Sequence, residues 1–358
     1  MRVTLIPGRE LGADLVRHWL ELQQSNPDLI SPYFHPEFTR NIAEIREDVE
    51  VAVIEDGGRI RAFFPFQRSG NSVGIPVGGI ISDYQGLICN PDFTCNPRDL
   101  VHQCRLVAWD FHHLLLSQRQ FEVFHAQTNV SPRIDLSKGY DFYVRDRREA
   151  GTELLSKCRK MAKRVEREIG PLRFVAHATG IEPMRQTLEW KSRQYRATGE
   201  RDLFASEWIN RALERMQATE CHAFKGMLSL LYAGDRLLAG HFGIRSSTAW
   251  HYWFPAYDPE LAKYSPGIIL LFNMVQHASG LGVQTIELGA GMSFYKQRFM
   301  NASTLVASGS VELPSWRLLP RIGYKALRQL WLRLPLDAKV RRNIKSLWKV
   351  SAMSAHEK

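Results

Sequence analysis

The run Met227–Asp258, MLSLLYAGDRLLAGHFGIRSSTAWHYWFPAYD, divides into three β-rich stretches at a Gly-Asp and a Ser-Ser turn. Turn residues between apolar stretches of this length specify an antiparallel meander. The next residues limit the fold further. After Tyr264 the chain reads Ser-Pro-Gly and then IILLFNMVQHA, a helix entered almost directly from the third strand. Ser265 is a favoured cap and Pro266 a favoured first helical residue. Gly267 leaves the backbone N–H groups bare of side chain. Bare donors at the positive end of a helix suit an anion, although a well-capped buried helix reads the same way. A Gly-Leu-Gly stop, the strand VQTIEL, a GAG turn, the short helix MSFYKQRF and the strand TLVASGSVEL follow.

The first half reads as mixed α/β. VTLI is a strand, Leu11 to Gln24 has helical spacing, and PEFTRNIAEI is a second helix. VEVAVIEDGGRIRAFFPFQRSG is a hairpin about an Asp-Gly-Gly turn. Pro97 opens a helix expected to reach Leu116, and FEVFHA is expected as a strand. From Arg147 to Ile169 a basic helix is expected, with Leu154, Leu155, Cys158, Met161, Ala162, Val165 and Ile169 in one apolar stripe. Its cations form either a solvated face or a wall for an anionic ligand.

With 358 residues, 44% apolar and 11% aromatic, the chain can bury the core of two domains or of one large one. The start MRVTLIPGRE lacks a long apolar region, so no signal peptide is expected, and no apolar run is long enough to span a membrane. A cytoplasmic protein is the expectation. The five cysteines are scattered, and Cys89, Cys95, His102 and Cys104 lack a tight Cys-x-x-Cys pair, so no metal site is expected. Of the net charge of +10, residues 315–358 hold +9, from eleven Lys/Arg against Asp337 and Glu357. This basic, apolar-interleaved tail suits an amphipathic helix, either docked on the body or resting on an anionic membrane at its inner face.

The motifs KSRQY, AGHFG, YWFPAYDPELAKYSPGIIL and IELGAGMSFYKQRF, in that order, with SDYQG and FFPF upstream, resemble the CelD/BcsL group of GNAT acetyltransferases. That group is similar to the FemAB transferases, which pair two GNAT-like domains. The resemblance implies an α/β (α+β) fold with tandem GNAT-like domains, each a mostly antiparallel sheet flanked by helices. The expected divisions are residues 1–145, 146–314 and the tail 315–358. It further implies an acyl-CoA or acetyl-CoA co-substrate, or an acyl carrier protein, held at Tyr257, Tyr264, Ser265, Pro266, Gly267 and Ile268. The acceptor would be an amine or hydroxyl of a sugar or small metabolite, met by Asp83, Tyr84, Lys191, Gln194, Tyr195 and Trp253.

Catalysis is expected from Glu287, His241, Tyr295 and Lys296. Glu287 ends its strand before a glycine turn, where a carboxylate either caps the turn or accepts a proton. His241 sits among Ala239, Gly240 and Gly243, as a core residue or as a base. No Gly-x-Ser-x-Gly or His-Glu-x-x-His motif occurs, which favours direct transfer over a covalent intermediate. Two rivals stay open: an aminoacyl-tRNA-dependent transferase of FemAB type, and a non-catalytic GNAT-fold binding protein. Other nucleic-acid binding is not expected.

Overall fold

The computed structural model describes residues 1–319 together with Arg321 and Gly323. In the first half, β1 (Arg2–Pro7), α1 (Ala13–Ser25) and α2 (Pro36–Ala43) precede the hairpin of β2 (Val49–Asp56) and β3 (Arg59–Ser69). Gly57 and Gly58 make its turn at φ 57° and 75°, a backbone region that glycine enters without steric cost. Then come β4 (Val73–Ile75), β5 (Ile88–Cys89), α3 (Pro97–Gln103), β6 (Ala108–Leu115) and β7 (His125–Asp135). Two helices, α4 (Tyr140–Glu149) and α5 (Leu154–Glu168), connect to β8 (Leu172–Ala178), α6 (Ile181–Thr198) and α7 (Glu207–Gln217). The expected meander is β9 (Phe224–Ala233), β10 (Arg236–Ser246) and β11 (Ala249–Tyr257). After it run α8 (Pro266–Ala278), β12 (Thr285–Glu287), α9 (Phe294–Phe299) and β13 (Ala302–Glu312).

All these strands join one sheet, in the order β1-β2-β3-β4-β6-β13-β7-β12-β11-β10-β9-β8, with β5 beside β3. The pairings are antiparallel except β4 with β6 and β11 with β12, one parallel pair in each half. β13 lies between β6 and β7, and β7 lies beside β12, so the last strand of each half is laid against the other. Alternation along β9 sends Leu228 and Leu230 towards α6, α7 and the first half, and Met227 and Leu231 towards α5 and α8. The fold is therefore mixed α/β, a large, mostly antiparallel sheet with helices on both faces.

Three local expectations change. The Arg147–Ile169 helix is two helices, broken where Gly151 takes φ 74°. Residues 97–116 are α3 and then β6, because the helix ends at Gln103 and Arg105 adopts φ 54°. FEVFHA begins as a 3-10 turn over Arg119–Phe124, and pairing with β13 starts only at His125. Phe121 is buried and Val123 is 86% exposed, whereas two residues so spaced would share one face of a strand. At the C-terminal end, Leu318 is buried and Arg321 pairs with Asp110 and Glu312. The remainder of the amphipathic segment lies outside the described residues. No helix among the described residues is long and apolar enough to cross a membrane.

Candidate active site

β11 and β12 pair only over Ala249–His251 and Thr285–Glu287. Past that point they part: β11 runs on to Tyr257, whereas β12 ends and the chain turns at Gly289 and Gly291, with φ 73° and 85°. At the far end of β11 stands the start of α8. Ser265 does not cap it with its side chain, contrary to the sequence expectation. Its backbone is left-handed (φ 53°, ψ 50°), and the cap is its carbonyl, which accepts from the N–H groups of Ile268 and Ile269. A non-glycine residue held in this region is a strained conformation of the kind that gathers at functional turns. This helix start, without a side-chain cap, borders a cavity of about 280 Å³, lined by Tyr257, Ser265, Gly267, Ile268, Lys191, Gln194 and Tyr295, with Tyr252, Pro255 and Ala262.

Residues expected separately on the donor and acceptor sides thus meet at one cavity. Pro266 and Tyr264 are buried beside it rather than lining it; Tyr264 lies under Arg164 and Lys263, whose charged groups are 5.1 and 5.0 Å from its ring centre. A Cβ on Gly267 would stand at an ordinary 3.5 Å from Tyr257 Cδ1, so the position tolerates a side chain when the cavity is empty. Burial and the charge of Lys296 push Lys191 down to about 8. Lys296 donates to the carbonyls of Gly289 (3.0 Å) and Ala290 (3.2 Å), fixing the glycine turn. Burial lowers its pKa as well, opposed by the charge of Asp83. Burial raises Tyr295 to about 12 and Tyr195 to about 12. Tyr195 stacks on Phe204 with its ring 5.0 Å from Lys191 Nζ.

A second cluster forms around a residue the sequence reading missed, His251. It is fully buried in β11, with Nε2 2.9 Å from Asp83 Oδ2 and Nδ1 3.3 Å from Glu287 Oε2. Burial alone would lower its pKa, but hydrogen bonds and charge from Asp83 and Glu287 raise it to about 9. Asp83 is the converse case. Burial would raise it, yet His251, with His113 and His112, holds it at about 2. Glu287 also accepts from Ser31 Oγ at 2.8 Å, so it faces the seam between the halves rather than the cavity at α8. Tyr84 is buried with its hydroxyl 2.8 Å from Ser131 Oγ, and Trp253 packs edge-on to Tyr33. Gly289 permits the approach of Asp83, whose Oδ2 would lie 2.8 Å from a Cβ there.

His241 lies on the opposite sheet face, fully buried and stacked on Tyr252 at 4.7 Å. The β10–β11 register shifts between Phe242 and Ile244, and this bulge removes a ladder partner from the Trp253 N–H. His241 Nε2 accepts that N–H at 3.0 Å, and burial holds the ring neutral with a pKa of about 3. Its one basic nitrogen is occupied by backbone. Among the described residues no group of His, Cys, Asp and Glu has the makings of a metal site.

Residues 153–297 match the family model described as an acetyltransferase (GNAT) domain, from the start of α5 into α9. Three solved structures are similar in fold. FemX has a TM-score of 0.58 at 9% identity, covering 90% of this chain and 99% of its own. The C-terminal domain (DUF2156) of a protein assigned as a lysylphosphatidylglycerol synthetase from Agrobacterium fabrum gives 0.53 at 13%, covering 86% and 97%. A tandem GNAT protein from the clavulanic acid biosynthesis pathway gives 0.50 at 10%, covering 88% and 100%. Among curated proteins none matches the chain significantly. Residues 153–297 thus match a GNAT-type acetyltransferase domain, and the chain is similar in fold, over most of its length, to FemX and to a tandem GNAT protein.

Proposed function

We propose that this protein is an acyltransferase of the CelD/BcsL kind, with GNAT-like halves at residues 1–145 and 146–314. It moves an acyl group, most simply acetyl, from an acyl-CoA thioester to an amine or hydroxyl of a sugar or small metabolite. The observation that carries this is the cavity where the start of α8, the free end of β11, Lys191 and Tyr295 converge. The helix end suits the donor's phosphates. The parted edge of β11 offers backbone N–H groups that polarise a thioester carbonyl.

Attack by an amine or hydroxyl releases a proton, and an efficient acceptor has a pKa near the working pH. Asp83 at about 2 and His241 at about 3 fall far below it, and Tyr295 at about 12 lies above. Lys191, at about 8 and on the cavity wall, is the best match. We therefore assign Lys191 Nζ as proton acceptor in place of Glu287 or His241, whose basic atoms are engaged within the protein. Burial, with the charge of Lys296 beside it, then leaves part of Lys191 uncharged at slightly alkaline pH, and the Asp83–His251–Glu287 chain holds the halves in register around the acceptor.

Aminoacyl transfer is the second reading, favoured by the fold shared with FemX and the lysylphosphatidylglycerol synthetase domain. Thermal shift with acetyl-CoA, longer acyl-CoAs and aminoacyl-tRNA separates the two. Stabilisation by an acyl-CoA alone is expected; stabilisation by aminoacyl-tRNA alone supports the second reading, and by neither, a non-catalytic role. Contact of residues 315–358 with the inner membrane face stays part of the proposal, to be tested by sedimentation with anionic vesicles.

A further inference from the structure

A second cavity, of about 730 Å³, opens at the seam between the halves, and no described residue lines both it and the cavity at α8. Its volume falls within the ~300–1,000 Å³ of sites that enclose a small ligand. Arg133 of β7 stands in its wall. Across the β7–β12 ladder Arg133 is directly opposite Glu287, so the two side chains share a face and an ion pair is expected. None forms. Glu287 turns instead to Ser31 Oγ at 2.8 Å and to His251 Nδ1 at 3.3 Å. Asp135, next on the same face of β7, accepts from the Ser137 N–H at 2.9 Å. Among the described residues the Arg133 guanidinium therefore has neither hydrogen bond nor ion pair, and its Nε is buried. His125 Nε2, in the wall of the same cavity, is likewise buried without a partner. Buried polar atoms are almost always satisfied, so two orphans at one cavity call for a ligand that satisfies them.

The wall that carries Arg133 is fixed in place. The side chain of Asn301 accepts the Asp135 N–H at 2.6 Å and donates to the Asp135 carbonyl at 3.0 Å, pinning β7 to the start of β13. A guanidinium on a rigid strand presents a planar fork that matches carboxylate and phosphate oxygens. The other charges at the cavity are of mixed sign: Arg119 is exposed, as are Asp28 and Glu122. Bulk charge therefore does not select an anion here, and the unpaired guanidinium does. Ser117, Thr128 and Ser303 add hydroxyl groups to the wall. We propose that this cavity binds a small hydroxylated anion, a sugar acid or a sugar phosphate. Arg133 holds its charged group, and His125 Nε2 with the Ser and Thr side chains meets its hydroxyls. The site is separate from the donor cavity and does not depend on which donor α8 receives.

Calorimetry on the full chain tests it with three probes: glucuronate, glucose 6-phosphate and glucose. Arg133→Gln removes the charge, and Arg133→Lys keeps the charge without the fork, so a folded variant remains for comparison if the first loses stability. The expected result is saturable binding of glucuronate, of glucose 6-phosphate or of both to the unmodified chain, with none for neutral glucose. Binding of the first alone identifies a carboxylate as the recognised group, and of the second alone a phosphate. Affinity should fall at least about tenfold in Arg133→Gln, as the loss of a hydrogen bond to a charged group predicts, and by less in Arg133→Lys. Failure of both anions to bind the unmodified chain overturns the proposal. So does equal affinity in the unmodified chain and a folded Arg133 variant, or binding of glucose as tight as that of the anions.

Discussion

His251 Nε2 lies 2.9 Å from Asp83 Oδ2, and the two residues come from different halves of the chain. Behind His251, Glu287 closes the chain of charges at 3.3 Å. A buried imidazolium between two carboxylates ties the loop that carries Asp83 to the point where β11 and β12 part. Removing one member leaves charge uncompensated, which in buried pairs costs about 3–5 kcal/mol.

Stability should accordingly depend on pH in a definite direction. His251 is raised from 6.5 to about 9, so its contribution is complete below pH 6.5 and is lost as pH rises towards 9. Asp83 is lowered from 3.8 to about 2, so its contribution is complete above pH 3.8 and is lost as pH falls towards 2. The alkaline loss is on the order of 3 kcal/mol. Thermal melts should show Tm declining between pH 6.5 and 9, with a flatter profile for His251→Gln. Identical slopes in both proteins would contradict the ion-pair account.

His241 should behave as a structural residue. In His241→Ala the Trp253 N–H loses its acceptor at the bulge, a buried unmet donor worth about 1–3 kcal/mol. Urea titration should register that loss, while the acidic limb of the pH–rate profile stays where it was. A limb near pH 6–7 that vanishes in this variant would restore His241 as the base.

Lys191 and Lys296 give a coupled test. Thiol release from acetyl-CoA in the presence of an acceptor should rise with pH through about 8, as Lys191 loses its proton. Lys191→Met should lower the rate by about 10²–10⁴-fold. Lys296→Met removes a neighbouring positive charge, so the limb should move to higher pH. A limb that stays in place in Lys296→Met would show that another group titrates.

Much of the fold was legible in sequence because its signals are local. The Asp-Gly-Gly hairpin, the meander and the Tyr264–Gly267 entry to α8 each lie within a few residues. His251 was not legible, since its meaning depends on a parallel register with Glu287 and on a loop some 168 positions earlier. AWHYWF offered one hint, a histidine alternating with aromatics on a buried strand. Ser265 misled because capping preference describes residue type, whereas its left-handed backbone makes the carbonyl the cap. Glu287 was found, but its strand position could not tell which way the carboxylate faces.

The central claim, that the start of α8 receives the donor, is tested most directly by calorimetric titration of acetyl-CoA into the unmodified chain and into Gly267→Val. A Cβ at Gly267 meets only Tyr257 Cδ1, at 3.5 Å, so the variant should fold with a near-normal Tm. The added branches, however, occupy the space where phosphate would rest on the helix end. The predicted result is saturable binding to the unmodified chain and at least a tenfold loss in Gly267→Val. Equal affinity in the two folded proteins would contradict the placement of the donor at α8.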